Sequence, residues 1–320
     1  MAMEVIMGSN GEPTKIGVVV HAEKTLGGGL EELRSALADI GHADPPWYEV
    51  PKSKKAPKAI RSMVEDDGVN RVLVWGGDGT VRRAINTVIS DKLDASIGIL
   101  PAGTANLLAT NLDIPIDLRA AVDIAVNGDP RPIDVGQMNG AYFAVMAGAG
   151  FDALMIRDAD EGLLKERYGK AGYVIAGIRN RDVSPAVATI EVDGELWYHG
   201  DASCVLVANV GTILGGLTAF PDASPVDGRL DVGVVSARSA SEWFRVMASA
   251  TLRRADASSL TEMVTARELT ISFDRTLPWE VDGGDRKRTA TFEVRCVPNA
   301  IRICQPSNAQ PESQPATQEA

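Results

Sequence analysis

The chain has 320 residues, which at about 150 residues a domain predicts two domains, and 45% of the residues are apolar, enough for a core in each. Its three cysteines, Cys204, Cys296 and Cys304, are an odd number without a C-x-x-C pair, which excludes a disulfide scaffold and a four-cysteine zinc site. A formal net charge of −11 repels polyanions over the whole surface and so argues against nucleic acid as a partner.

No segment of the sequence predicts a membrane span or a secretory signal. The longest apolar stretch, Ala141 to Ile156, contains Asp152 and several glycines and is shorter than the roughly 18 residues that a span needs. The N-terminus has Glu4 as its first charge and lacks the basic and apolar regions of a secretory signal. We therefore expect a cytoplasmic protein with reduced cysteines.

The first half of the chain alternates strand-like apolar runs with helical patterns. In chain order these elements are expected at Ile16–Val20, Leu30–Ile40, Arg71–Trp75, Val81–Ile89, Ser96–Leu100 and Leu118–Val126. Such alternation is typical of βαβ units, in which helices connect the strands of a parallel sheet. We predict a doubly wound α/β domain over residues 15–134, preceded by a flexible segment at residues 1–14.

After Asp134 the pattern changes to short strands separated by hairpin turns, which are indicated by Asn139–Gly140 and Asp193–Gly194. The strands are expected at Tyr142–Met146, Thr189–Val192, Leu196–Tyr198, Ser203–Ala208, Leu230–Val235, Leu269–Phe273 and Thr291–Val294. Helices are expected at Gly162–Arg179 and from an N-cap at Ser241 to about Arg254. The sequence predicts a mostly antiparallel β-sandwich over residues 135–304 and a disordered tail over residues 305–320.

A glycine-rich turn lies between a predicted buried strand and a predicted helix. It reads Gly76-Gly77-Asp78-Gly79-Thr80, and we call it the first glycine loop. Glycines let the backbone approach a ligand closely, Thr80 can cap the helix, and the N–H groups at a helix start favour an anion. The expected ligand is a phosphate group. Asp78 would repel it unless a divalent cation or a hydroxyl donor lies between them.

A second glycine–threonine turn follows one βαβ unit later. It reads Pro101-Ala-Gly-Thr-Ala-Asn106, and we call it the second glycine loop. The carboxyl ends of parallel strands share one edge of a sheet, where open α/β sheets bind ligands. We therefore expect the two loops to face the same crevice.

The ordered set of motifs resembles the catalytic domain of the diacylglycerol kinase family, which includes bacterial lipid kinases and sphingosine kinases. The resemblance begins with Gly-Gly-Asp-Gly-Thr and Ile-Leu-Pro-x-Gly-Thr-x-Asn and extends to about Ile303. Its later segments are Asp134–Gly136, Gly148–Ala153, Pro221–Val232 and Val281–Gly283. The first loop alone is shared with NAD kinases and phosphofructokinase-like enzymes, so the whole set favours the lipid branch.

The resemblance implies an ATP-binding α/β domain, a β-sandwich domain and an active-site cleft between them, with a last strand that returns toward the first domain. It implies that Asp78 organises Mg²⁺ near the phosphates of ATP. The implied nucleotide contacts are Gly76, Gly77, Asp78, Gly79, Thr80, Val81, Arg82, Gly103, Thr104 and Asn106. A separate structural magnesium is implied at Ser224, Asp227 and Arg229, the last through its carbonyl oxygen.

The sequence departs from the family's pattern at four places. The first strand ends in His21-Ala22, where the family typically has Asn-Pro and a glycine-rich turn. The usual Asn-Asp in the second glycine loop reads Asn106-Leu107, and Arg82-Arg83 stand where many members have Asn-Glu. The C-terminal Asp-Gly-Glu, which places a carboxylate as general base on the lipid hydroxyl, here reads Asp282-Gly-Gly-Asp285. Asp282 is the first candidate for the base and Asp285 is the second.

These observations predict an ATP- and Mg²⁺-dependent kinase that phosphorylates the hydroxyl of a membrane lipid, such as diacylglycerol or a related lipid alcohol, through peripheral contact with the membrane. Two alternatives stay open. One is an NAD kinase-like enzyme, and the other is a catalytically weakened nucleotide- or lipid-binding protein, which Leu107 and Gly284 suggest. Both a monomer and a homodimer are compatible with the sequence.

Overall fold

The computed structural model describes residues 13–150, 185–213, 217–251 and 259–307. The helix predicted at Gly162–Arg179 lies outside the described residues, as do most of the predicted flexible N-terminus and of the predicted disordered tail. Within the described ranges, no helix combines the length and the apolar character that crossing a bilayer requires.

The N-terminal half supplies a parallel group of strands. They are β1 (Ile16–His21), β2 (Trp47–Val50), β3 (Arg71–Gly76) and β4 (Ser96–Pro101). The order across the sheet is β4-β3-β1-β2, with every pair parallel. Every residue of β1, β3 and β4 is buried, as expected for strands that helices cover on both faces.

Five helices connect these strands in the described part of the N-terminal half. They are α1 (Gly29–Asp39), α2 (Ala56–Glu65), α3 (Asp78–Ser90), α4 (Leu107–Asn111) and α5 (Leu118–Asn127), and a 3₁₀ turn at Ser53–Lys55 precedes α2. Helix α1 packs with α5, and α2 packs with α3. On α3 the buried Val81, Ala84, Ile85 and Val88 recur at helical spacing, which directs one stripe to the core. The predicted doubly wound α/β domain is confirmed.

The C-terminal half is built from antiparallel strands. They are β5 (Asp129–Met138), β6 (Ala141–Phe143), β7 (Met146–Gly150), β8 (Ala186–Val192), β9 (Glu195–Ala202), β10 (Cys204–Ala208), β13 (Leu230–Val235), β14 (Thr261–Ala266), β15 (Glu268–Val281) and β16 (Gly284–Gln305), with a small hairpin of β11 (Thr212–Ile213) and β12 (Leu217–Thr218). Most of their apolar side chains form a core of their own, while residues of β7, β10, β11 and β16 pack into the core of the α/β half. At the centre of their own core Phe292 makes edge contacts with Trp279 and Phe273 at ring centroid distances of 5.6 and 5.9 Å. The mostly antiparallel second domain is confirmed.

Three Asx-Gly pairs form tight hairpin turns. Asn139–Gly140 joins β5 to β6 and Asp193–Gly194 joins β8 to β9, and both residues of each pair have positive φ, as type I′ turns require. These two predicted hairpins are confirmed. The third pair, Asp282–Gly283, has φ values of +43° and +74° and joins β15 to β16; we call it the β15–β16 turn.

Strand β16 connects the two halves. It runs antiparallel to β15 and β5, and near its end Arg302 and Ile303 lie parallel to β4. In the described part of the chain this pairing produces one 14-stranded sheet that spans both domains. The first domain is therefore fixed to the second by backbone hydrogen bonds.

Two regions differ from the sequence-based expectation. The prediction omitted β2 and α2, which lie between the first and second predicted strands of the α/β domain. The helix predicted from an N-cap at Ser241 instead spans Ala240–Thr251, here α6, so that N-cap is wrong. The Glu242 N–H lies 3.3 Å from Ser239 Oγ and the Glu242 carboxylate accepts the Ser239 N–H at 3.2 Å, which is a capping box.

Candidate active site

The first glycine loop connects β3 to α3 with little more than glycine backbone. Gly77 is the N-cap and α3 begins at Asp78, so the expectation that Thr80 caps the helix is wrong. Thr80 is instead buried in the first turn and packs against Gly76. A Cβ added to Gly76 would lie only 2.6 Å from the Cβ of Thr80. The first N–H groups of α3 therefore stand at the end of β3 without a side-chain cap, in the arrangement that suits an anion.

The two glycine loops touch each other through their backbones. A Cβ added to Gly77 would lie 2.9 Å from Gly103 Cα, and a Cβ added to Gly103 would overlap Gly77 in turn. The Ala102 N–H donates to the Gly76 carbonyl oxygen at 3.0 Å. Only glycine at both positions permits this approach. The loops are neighbours at one edge of the sheet, as expected.

Asp78 links the first glycine loop to helix α4. Its Oδ1 accepts the Leu107 N–H at 2.6 Å. Burial raises the pKa of the carboxyl group, and hydrogen bonds from backbone N–H groups, including those of Asn106, Leu107 and Leu108, oppose the rise. The contact of Asp78 with position 107 thus uses only the backbone N–H group, which a leucine supplies as well as an aspartate would. The role of Asp78 toward magnesium stays a prediction.

Asn106 holds the shape of the second glycine loop. Its Oδ1 accepts the Gly103 N–H at 2.9 Å, and its Nδ2 donates to the carbonyl oxygens of Pro101 and Gly103 at 2.9 and 3.0 Å. Asn106 has a φ of +48°, a left-handed conformation that asparagine tolerates better than most residues. Because its amide is fully engaged within the loop, the exposed Thr104 is the better placed of the two for a ligand.

Asp282 anchors the β15–β16 turn to the segment between β6 and β7. Its Oδ2 accepts the Ala144 N–H at 2.9 Å and its Oδ1 accepts the N–H groups of Val145 and Met146 at 3.0 and 2.9 Å. Burial raises the pKa of this carboxyl group, while the three amides and the charge of Arg82 oppose the rise. This contact explains why the strand predicted at Tyr142–Met146 is divided into two.

The second candidate base differs from the first in exposure. Asp285 is exposed and lies across from Glu280 in the β15–β16 pairing. Glu280 is fully buried, and its Oε2 accepts the Gly283 N–H at 2.5 Å, which supports the turn. Glu280 was not predicted as a site residue. Its position beside the apolar Val281, two residues before an Asp-Gly pair, was a usable signal.

Arg82 brings the turn to the first glycine loop. Its Nη1 donates to the carbonyl oxygens of Val281 and Asp282, the second at 3.4 Å, although these residues are about 200 positions away in sequence. Its guanidinium also covers Gly284, where an added Cβ would lie 2.5 Å from Arg82 Cζ. The nucleotide contact predicted for Arg82 stays a prediction, and the contact that the structure assigns to it is with the turn.

The predicted structural-magnesium loop is held by Asp134. This buried carboxylate accepts the N–H groups of Gly228 and Asn299 at 2.7 and 2.8 Å, and the Asp134 N–H donates to the Pro225 carbonyl oxygen at 2.7 Å. Ser224 and Arg229 are partly buried and Asp227 is exposed. The family motif at Asp134 therefore fixes the loop that carries the three predicted ligands.

The negative charge around the Ser224–Arg229 loop would favour a cation, but its side chains are not arranged as a set of metal ligands. Burial and the negative charges of Asp227 and Asp222 raise the pKa of Asp231 to about 6. Asp227 Oδ1, however, accepts the Arg229 N–H at 2.9 Å, and no cluster of three His, Cys, Asp or Glu side chains close enough to hold an ion occurs in the described ranges. Magnesium at Ser224, Asp227 and Arg229 stays a prediction.

A groove of about 600 Å³ lies elsewhere on the antiparallel domain. Polar side chains line it, among them Gln137, Glu191, Glu268, Glu293 and Arg295. None of its lining residues belongs to the glycine loops or to the β15–β16 turn. We therefore place the candidate active site at the junction of those loops and that turn.

Two sequence families match the chain, one in each half. The profile described as the diacylglycerol kinase catalytic domain matches residues 16–138. The profile described as the YegS C-terminal NAD kinase beta sandwich-like domain matches residues 145–305. Together they cover both domains.

Similar proteins and structures agree with these matches. A diacylglycerol kinase of Bacillus subtilis is 33% identical over 177 residues, which are 55% of this chain and 58% of that protein. A protein of Pseudomonas putida named as a YegS-like lipid kinase is 31% identical over 227 residues, which are 70% of this chain and 74% of that protein.

Solved structures share the fold at lower identity. A candidate diacylglycerol kinase of Bacillus anthracis superposes with a TM-score of 0.75 at 19% identity, over 91% of this chain and 96% of that one. An NAD kinase of Archaeoglobus fulgidus in complex with ATP superposes with a TM-score of 0.52 at 11% identity, over 91% of this chain and 94% of that one. The chain therefore belongs to the diacylglycerol kinase and YegS-like family of lipid kinases.

Proposed function

We propose that the chain transfers the γ-phosphoryl group of ATP to the hydroxyl of a membrane lipid, diacylglycerol or a related lipid alcohol. The observation that carries this proposal is the backbone contact between Gly77 and Gly103, which brings two glycine loops and an uncapped helix start together at one edge of the sheet. Such an edge is where open α/β sheets bind ligands, and a helix start binds phosphate.

The residues of the site would share the work of phosphoryl transfer. The first N–H groups of α3 would bind phosphate oxygens of ATP, and Thr104, exposed on the second loop, would contact the nucleotide. When bound, Mg²⁺ would neutralise charge on the phosphates, with Asp78 beside them. Arg82 would hold the β15–β16 turn against the first loop, which fixes where the acceptor hydroxyl meets the phosphate.

For the general base we favour Asp285 over Asp282. Both oxygens of the Asp282 carboxylate already accept backbone N–H groups, so they are not free to accept a hydroxyl proton even though burial raises the pKa of this group. Asp285 is exposed two residues beyond the turn, so its carboxylate is open to a lipid hydroxyl. This assignment reverses the order expected from sequence.

We also propose that the protein is cytoplasmic and reaches its acceptor by peripheral contact with the membrane. A lipid alcohol stays in the bilayer, so the active site must approach that surface to act on it. Co-sedimentation of the protein with vesicles that contain diacylglycerol tests this contact.

Lipid phosphorylation is tested by offering the purified protein ATP, Mg²⁺ and a total lipid extract. We expect mass spectrometry to find one class of lipid alcohol converted to its phosphomonoester. The resemblance to NAD kinase structures makes NAD⁺ the necessary second acceptor, and phosphorylation of NAD⁺ but of no lipid would favour that enzyme. Nucleotide binding without transfer to any acceptor would favour a weakened binding protein, which the glycine at position 284 suggests.

A further inference from the structure

Two arginines bond to the β15–β16 turn and a third lies near them, and we call the three the arginine cluster. Arg82 and Arg83 lie on α3, and Arg286 lies on β16. Arg82 donates from Nη1 to the turn, and Arg286 donates from Nη1 to the carbonyl oxygens of Gly284 and Asp285 at 3.4 and 3.3 Å. Arg83 donates from Nη1 to the Gly79 carbonyl oxygen and to Ser53 Oγ, both at 3.0 Å. Each guanidinium is thus held by its Nη1 group.

The other edge of each guanidinium is left for a ligand. Among the residues that the structure describes, Nε and Nη2 of Arg82, Arg83 and Arg286 have no hydrogen-bond partner, and no carboxylate forms an ion pair with them. Arg82 is only 9% exposed, but its unpaired Nε and Nη2 are not fully buried, so this edge is accessible to a ligand. The Nε–Nη2 edge is the one that binds two oxygens of a phosphate group side by side.

The cluster holds like charges close together. The pKa of Arg83 is lowered by burial and by the charges of Arg82 and Arg286, and the pKa of Arg286 is lowered by burial and by Arg82. Glu280, Asp282 and Asp285 oppose this effect at Arg286, but the first two carboxylates already accept N–H groups of the backbone. The three carboxylates equal the three guanidinium groups in number, so the unpaired Nε and Nη2 edges of the arginines, and not an excess of positive charge, would bind an anion.

Gly284 gives Arg82 its place in the cluster. Any side chain at position 284 would occupy the volume of the Arg82 guanidinium. The arginine at 82 therefore requires the glycine at 284, because the family's glutamate at that position would overlap the guanidinium.

We propose that Arg82, Arg83 and Arg286 form a phosphate-binding site at the junction of the first glycine loop and the β15–β16 turn. The inference rests on the proposed function for its biological meaning, because the acceptor lipid would meet ATP at this junction. Two sources can supply the phosphate: the headgroup of an acceptor lipid that already carries one, or the γ-phosphoryl group of ATP itself. The chemistry of recognition is the same, and the experiment separates the sources.

The test measures binding without turnover. The wild-type chain, Arg83→Gln/Arg286→Gln and Arg295→Gln are compared for co-sedimentation with phosphatidylcholine vesicles that contain phosphatidic acid, and with vesicles of equal charge that contain oleate. Affinities for ATP and ADP are measured in parallel. Arg295→Gln is the matched control, because it removes one arginine from the same strand, where Arg295 bonds to Gln137 at 2.8 Å. Melting temperatures check that each variant folds.

We expect the double variant to lose about tenfold or more in affinity for one phosphate source, since a charge-assisted hydrogen bond contributes about 1.5–3 kcal/mol. Loss on phosphatidic acid but not on oleate, with ADP affinity unchanged, assigns the site to a phosphate-bearing lipid. Loss on ATP but not on ADP assigns it to the γ-phosphoryl group. Unchanged affinities, or equal losses in Arg295→Gln, overturn the proposal. Phosphate binding without kinase activity would contradict the proposed function and leave this site intact.

Discussion

At the scale of single residues, the carboxylate of Asp78 has a structural contact that can be separated from its charge. Asparagine keeps an oxygen that can accept the Leu107 N–H, whereas alanine removes the acceptor. We expect Asp78→Asn to keep its melting temperature and to lose about 10²–10³-fold in turnover, because the charge near the phosphates is gone. Asp78→Ala should in addition be less stable by about 1–3 kcal/mol. Normal turnover in Asp78→Asn would remove its charge from the mechanism.

Asp282 and Asp285 are expected to separate stability from catalysis. In Asp282→Asn one side-chain oxygen replaces two, so at least one N–H group among residues 144–146 faces an NH₂ group, and we expect a loss of about 1–3 kcal/mol in the free energy of unfolding. Asp285→Asn should leave the free energy of unfolding unchanged and reduce turnover by about 10²–10⁴-fold, the usual contribution of a general base.

Denaturant unfolding and steady-state kinetics measure these two effects. If Asp285→Asn transfers phosphate at the wild-type rate while a folded Asp282→Asn does not, the order of the two candidates is the one expected from sequence. If both keep the wild-type rate, the base lies elsewhere.

At the scale of elements, the contact between the glycine loops is tested by a single methyl group. Gly103→Ala places a Cβ on Gly77 Cα, so the loops must move apart. We expect a loss of about 1–3 kcal/mol in stability, the usual cost of overpacking, together with weaker ATP binding. Gly79→Ala is the control for folding, because its Cβ would meet Arg83 Nη1 at an ordinary 3.7 Å. Equal stability of the two variants would show that the loops tolerate separation.

Asp231, the second residue of β13, is expected to make the stability of the protein depend on pH. The pKa of Asp231 is raised to about 6, so between about pH 4 and pH 6 the folded protein holds a proton that the unfolded chain has released. Stability therefore falls as the pH rises through this range. We expect Asp231→Asn to raise the melting temperature above about pH 6 and to have little effect below about pH 4. Asp44→Asn, at an exposed position, is the control.

The same measurement examines the predicted magnesium. If a cation binds beside Asp227, adding Mg²⁺ above about pH 6 should raise the melting temperature of the wild type more than that of Asp227→Ala. An identical response of the two proteins would mean that the Ser224–Arg229 loop is an ordinary turn fixed by Asp134.

Local patterns made some elements predictable and left others hidden. The glycine loops could be predicted because each places glycine and threonine where a buried strand ends. The Asx-Gly hairpins could be predicted because their residues tolerate positive φ. Helix α2 was missed although Ala56, Ala59, Ile60 and Met63 recur at helical spacing, which was a usable signal. The contact between Arg82 and Gly284 joins segments about 200 residues apart, and no local pattern reports it.

At the scale of the whole molecule, the length of β16 was not predicted from the residue pattern, although the resemblance implied a last strand that returns toward the first domain. Only Thr291–Val294 was expected as strand, because charged residues precede it and Pro298 interrupts the apolar pattern after it. In the structure the register against β5 shifts between Val297 and Ile301, which accommodates the proline without breaking the strand. Pairing with β5 and β4 outweighs the weak local preference.

The two-domain sheet as a whole is proposed to support phosphoryl transfer from ATP to a lipid hydroxyl. The most direct test offers γ-¹⁸O-labelled ATP, Mg²⁺, a total lipid extract and NAD⁺ to the wild type and to Asp78→Asn in one reaction, and follows the label by mass spectrometry. We expect the wild type to transfer the label to a lipid phosphomonoester and Asp78→Asn to transfer far less of it, with no label in NADP⁺ for either protein. Label in NADP⁺ alone, or in no acceptor, would contradict this proposal.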